Sequence, residues 1–156
     1  MRNLVVVGIS DTKIVSGDDI LITYALGSCV GTCVYDSTTG IMGLSHVLLP
    51  EKRLCPGDNN IKKFADTAIS HMVSEMKSHG ASIYRMRAKI AGGAQMFCNS
   101  TIKIGERNID MVINELGSLG IEIVGCDVGE NYGRTMECHA ADGKVMIKMI
   151  NKIRII

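Results

Sequence analysis

The chain has 156 residues, 46% of them hydrophobic and 21% charged, with 17 Lys and Arg set against 16 Asp and Glu. A chain of this length buries about two-thirds of its unfolded surface and is expected to fold as one domain, residues 1–156, without covalent staples. The near-neutral charge balance excludes the basic footprint of a nucleic-acid binder, and the apolar run at residues 4–9 is too short for a signal peptide or a membrane span, so the expected location is cytoplasmic.

Taken in order, LVVVGI (residues 4–9) reads as a buried strand and ILITYAL (20–26) as a second, rich in β-branched and aromatic residues. Gly27 and Ser28 break the run. CVGTCVYD (29–36) resumes extended structure, STTG (37–40) makes a turn, and IMGLSHVLL (41–49) is a further strand before Pro50. The three segments predict an antiparallel meander. Ile61, Phe64, Ala65, Ala68, Ile69, Met72, Val73 and Met76 then recur at helical spacing, with Asp58, Asn59 or Asn60 as the cap and Gly80 just past the end. SIYRMRAKIAGG (82–93) predicts a strand whose Arg85, Arg87 and Lys89 line a wet face. Ile109, Val112, Ile113 and Leu116 mark a second helix ending at Gly117 or Gly120. IEIVGCDV (121–128), RTMECHA (134–140) and KVMIKMI (144–150) add three strands, the last two joined through Asp142-Gly143. Runs of strands with two separated helices predict an α+β fold. The strands outnumber what two helices can cover, which favours two stacked sheets, or one strongly curled sheet, with both helices on one outer face.

The six cysteines (Cys29, Cys33, Cys55, Cys98, Cys126 and Cys138) are expected to remain thiols in a reducing compartment. No C-x-x-C pair suggests a metal, and the AGGAQ glycines lack the spacing of a dinucleotide loop. Cys33, Cys98 and Cys126 read as small hydrophobes within or beside apolar strands. Cys55, Cys138, His71, His79 and His139 read as structural or surface residues.

Cys29 and His46 are different. A thiol is a nucleophile only as thiolate, and a neighbouring imidazole raises that fraction. Cys29 follows Gly27-Ser28, a tight turn that would expose its sulfur and leave N–H groups such as those of Ser28 and Cys29 free to face an oxyanion. If residues 29–36 and 41–49 pair around the STTG turn, Cys29 at the start of one strand lies opposite the region of His46 at the end of the other. The interval of seventeen residues becomes a cross-strand distance. Folding ILITYAL back over the turn brings in Thr23, whose hydroxyl could orient the ring. On spacing alone, a buried Cys and a core His remain the competing reading.

LGSCVGTCVYD, GLSHVLLP, FADTAI, AKIAGGAQMF, IGERN and DVGENYGR occur in an order that resembles the CheD family of chemoreceptor glutamine deamidases, over roughly residues 5–150. The resemblance implies a three-layer sandwich of two helices on two stacked, mostly antiparallel sheets. It implies Cys29 as nucleophile, His46 as general base and acid, and Thr23 as the group positioning the imidazole, with Gly27 and Ser28 supporting the turn. It implies hydrolysis of glutamine side chains on the cytoplasmic helices of methyl-accepting chemotaxis receptors, no cofactor, and a CheC-type phosphatase as a second partner. The alternative is an adaptor that mainly binds receptor or phosphatase. Gly92, Gly93 and Arg134 match family motifs as either substrate-contacting or fold positions. Two departures, Glu130 where a second glycine is common after Gly129 and Ala91 where a bulkier residue is common before Gly92, concern loop shape.

Overall fold

The structure is a computed structural model describing residues 1–97 and 101–156. Among these, ten strands and two α-helices follow one another as β1 (Leu4–Val6), β2 (Thr12–Val15), β3 (Ile20–Leu26), β4 (Val30–Asp36), β5 (Ile41–Val47), α1 (Ala65–Ser78), β6 (Met86–Gly92), α2 (Ile104–Ser118), β7 (Glu122–Val128), β8 (Arg134–His139), β9 (Val145–Met149) and β10 (Lys152–Ile155). One sheet has the order β1-β3-β8-β9-β10 and the other β2-β5-β4-β6-β7. Each carries one parallel pair, β1 with β3 and β6 with β7, and is otherwise antiparallel.

The layering follows from strand parity. On β4, Val30 and Val34 join Val47 of β5 and Ala88 and Ile90 of β6 against Ala68, Ile69, Met72 and Met76 of α1 and Val112 and Leu116 of α2. The opposite face of the same strands carries Cys33, Met42 and Leu44, which pack on Leu21, Met136, Cys138, Val145 and Ile147 of the other sheet. Two apolar cores thus fill the two interfaces of a three-layer α+β sandwich, as the strand count and the family resemblance imply. Both helices lie on the β2-β5-β4-β6-β7 sheet.

Three local expectations need correcting. The predicted meander holds only for the β4–β5 hairpin, whose register pairs Gly31 with His46 and Val30 with Val47. β3 departs to the other sheet, between β1 and β8, because residues 27–29 carry the chain across the interlayer space. The first helix begins at Ala65, not Ile61, and Phe64 at the N-cap position offers no side-chain capping bond. Asp58 and Asn60 instead bind the N–H groups of Asn60 and Lys62, and those local turns compete with helix. Sequence patterning also missed β2, hidden in a polar-looking run, and divided the C-terminal segment too coarsely, since β9 and β10 form a hairpin.

Candidate active site

Thr23 lies on β3 with the parity of Leu21, so it faces the interlayer core. His46 on β5 shares the parity of Met42 and Leu44 and faces the same core from the other sheet. Both are completely buried, and Thr23 Oγ1 lies 2.6 Å from His46 Nδ1. The same hydroxyl donates its one proton to the Val7 carbonyl at 2.6 Å. A carbonyl cannot donate, so the Thr23 oxygen must accept from Nδ1–H, which places the lone pair of the neutral ring on Nε2. Nε2 is buried and has no hydrogen-bond partner among the described residues.

Cys29 immediately precedes β4, two residues from Gly31, the residue paired with His46, and packs in the same interlayer core that the imidazole faces. Gly31 leaves room on that side for Met136 and Leu26: a Cβ there would lie 2.7 Å from Met136 Sδ and 3.1 Å from Leu26 Cδ1. Cys29 is 6% exposed, and burial pushes its thiol up from the ordinary value. Burial likewise lowers the His46 imidazole to about 4. Both effects favour the neutral thiol and neutral imidazole over an ion pair in the resting protein.

The turn is built differently from expectation. Its left-handed residue is Ala25, at φ 56°, within an irregularity in the β3–β8 pairing. Gly27 has its N–H bound to Ala25 O at 3.0 Å, and a Cβ there would sit 3.3 Å from Met96 Cγ. No backbone carbonyl among the described residues takes the N–H of Ser28 or of Cys29. A cavity of about 380 Å³ opens beside Ser28, lined by Leu48, Ala94, Met96, Phe97 and Ile104 among others.

A family model described as CheD chemotactic sensory transduction matches residues 48–149, beginning two residues after His46. Curated relatives extend the likeness to nearly the whole chain. A protein of Desulfitobacterium hafniense is 43% identical, covering 97% of this chain and 96% of its own length. One of Caldanaerobacter subterraneus is 45% identical over 92% and 91%, and one of Pyrococcus horikoshii 41% identical over 96% and 94%. All three bear the name "probable chemoreceptor glutamine deamidase CheD". The chain belongs to the CheD family.

In this CheD chain the glycines of the β6 end serve the Cys29 segment. Gly93 N–H donates to Cys29 O at 2.8 Å and Ala94 N–H to Gly27 O at 2.8 Å. Gly92, at φ 103°, approaches so closely that a Cβ would lie 2.2 Å from Cys29 O. Arg134 is 2% exposed, with Nε on Asp127 Oδ1 at 2.7 Å and its other nitrogens on Gly92 O and Gly129 O. The guanidinium is thus consumed in tying β8 to the ends of β6 and β7. Cys33 and Cys138 pack between the sheets, whereas Cys126 is exposed on the edge strand β7 and is not the buried hydrophobe its sequence context suggests. Cys98 lies outside the described residues. No group of three or more His, Cys, Asp or Glu among the described residues is arranged to hold a metal.

Sequence reading missed Asn108 of α2, which is fully buried and donates from Nδ2 to Ser28 O at 2.9 Å and to Leu48 O at 3.1 Å. A signal existed. Asn108 stands four and eight residues before Val112 and Leu116, in the helix stripe that must be buried.

Proposed function

We propose that this chain is a single-domain protein-glutamine deamidase acting on chemoreceptors, with Cys29 as nucleophile, His46 as base and acid, and Thr23 as the positioning group. The observation that carries the reading is the buried Thr23–His46 bond, which fixes the tautomer and leaves Nε2, unpartnered among the described residues, as a base facing the interlayer core that also holds Cys29. A histidine serving only to fill space would be expected to satisfy both ring nitrogens, since an orphan buried acceptor is unfavourable. The names of the relatives support the substrate class.

Because burial favours the neutral thiol and neutral imidazole, attack and proton transfer proceed together. Cys29 Sγ bonds to the side-chain carbonyl carbon of glutamine while its proton passes to His46 Nε2. Charge develops on the carbonyl oxygen, which the Ser28 N–H and the Cys29 N–H, the latter directed at its own sulfur in the resting protein, would receive. Collapse of the tetrahedral adduct breaks the C–N bond, His46 returns the proton to the leaving nitrogen, and ammonia departs. Water, deprotonated by His46, then cleaves the thioester to release glutamate and restore the thiol. Thr23 carries no charge, so it orients the ring and holds its tautomer without offsetting the imidazolium charge.

The cleft beside Ser28, with Met96 and Phe97 exposed at its edge, supports a protein substrate over a small soluble amide. The same apolar edge supports a CheC-type phosphatase as a second partner competing for this face. Incubating a receptor cytoplasmic fragment with the protein should raise its mass by about one dalton per converted glutamine, and Cys29→Ala should abolish the gain. A gain that persists with Cys29→Ala would overturn the thiol mechanism. If Cys29→Ala loses the gain yet supports chemotaxis and phosphatase stimulation as well as wild type, the adaptor reading prevails.

A further inference from the structure

Three successive carbonyls of the Cys29 segment are tied down from outside it. Gly27 O takes Ala94 N–H, Cys29 O takes Gly93 N–H, and Ser28 O, between them, takes Asn108 Nδ2. The third anchor is a side chain on another layer. Asn108 has no exposed surface, and its Oδ1 has no partner among the described residues, an unfavourable feature that a leucine in the same helix stripe would lack.

The Ser28 carbonyl and the Cys29 N–H belong to one peptide unit, and in a trans peptide they point in opposite directions. Fixing the carbonyl therefore fixes the direction of the N–H. A donor on the carbonyl also polarises the amide, which makes the N–H a stronger donor in turn. The second bond, to Leu48 O, holds the chain just past β5, two residues beyond His46.

We propose that Asn108 is a positioning residue for the amide hydrolysis, aiming and polarising the Cys29 N–H toward the oxyanion and keeping His46 in register with Cys29. The inference rests on the reading of Cys29 as nucleophile. It concerns a residue remote from the thiol along the chain and in another element.

Two variants test it. Asn108→Leu keeps the branched outline at a larger volume and removes the donor, and Asn108→Ser is too short to bridge both carbonyls. Each is assayed for deamidation of a receptor fragment and for alkylation of Cys29 by iodoacetamide, a displacement that develops no oxyanion. The expected result is a fall in kcat of about 10- to 100-fold, below the loss on deleting an oxyanion donor outright, with KM and the alkylation rate within about twofold of wild type. An unchanged kcat in the folded variants overturns the proposal. So does a fall in kcat matched by an equal fall in alkylation, which marks a general loosening of the Cys29 segment, or failure of both variants to fold. Cys29→Ala run in parallel separates the two readings: if it remains active, the thiol mechanism fails, and if it is dead while Asn108→Leu is fully active, only the anchor fails.

Discussion

Thr23 shows how much one hydroxyl proton decides. Because Val7 O takes that proton, the oxygen is left as an acceptor, and the imidazole has a single tautomer compatible with both bonds. Thr23→Val keeps the shape and removes both bonds, so the ring is free to carry its proton on Nε2, where it cannot accept one from Cys29. We expect kcat to fall by about 10- to 1000-fold, less than for removing a charged partner of a catalytic histidine, while Thr23→Ser restores most of it. Equal deamidation by Thr23→Val and wild type would show that the hydroxyl has no part in the chemistry. At this scale the sequence was informative. The Cys29–His46 interval could be read as a cross-strand distance because the STTG turn set the hairpin register. Asn108 escaped because an asparagine within a helix gives no sign of what its amide reaches.

Between elements, the loop joining β7 to β8 holds a non-glycine residue in a strained backbone conformation. Glu130 adopts φ 62°, a left-handed conformation that favours glycine. Its side chain is exposed, and its carbonyl accepts from Gln95 N–H at 2.8 Å, a backbone bond that any residue can make. Relief of the strain should outweigh the added chain entropy, so Glu130→Gly is expected to raise stability by about 0.5–1 kcal/mol. Urea unfolding of the pair reads this as a higher midpoint with the slope unchanged, and a lower midpoint refutes it. Element types were largely legible from periodicity, but the sheet to which a strand belongs was not. The parity of ILITYAL shows that Leu21 and Thr23 share a face, and that holds equally for a meander partner of β4 and for a strand in the opposing sheet.

Over the whole molecule, burial of His46 links stability to pH. The folded ring resists protonation down to about 4, whereas in the unfolded chain it protonates near 6.5. Above 6.5 both states hold it neutral, so its full contribution is present there. As pH falls from 6.5 to about 4 the unfolded state alone gains the proton, and roughly 3 kcal/mol of stability is lost, with no further loss from this group below that window. Unfolding free energies measured across the window should slope for wild type and slope less for His46→Gln. Identical slopes would show that the ring does not titrate as its burial dictates.

The bond between Thr23 and His46 joins the two sheets, and that has a bearing on when the protein comes alive. β3 is held between β1 and β8, and β8 is made more than a hundred residues after Thr23. A nascent or truncated chain can therefore hold Cys29 and His46 in their finished hairpin and still lack a ring locked in the working tautomer. On the proposed mechanism the thiol therefore reaches full competence toward glutamine only once the second sheet has docked on the first, which couples activity to completion of the fold.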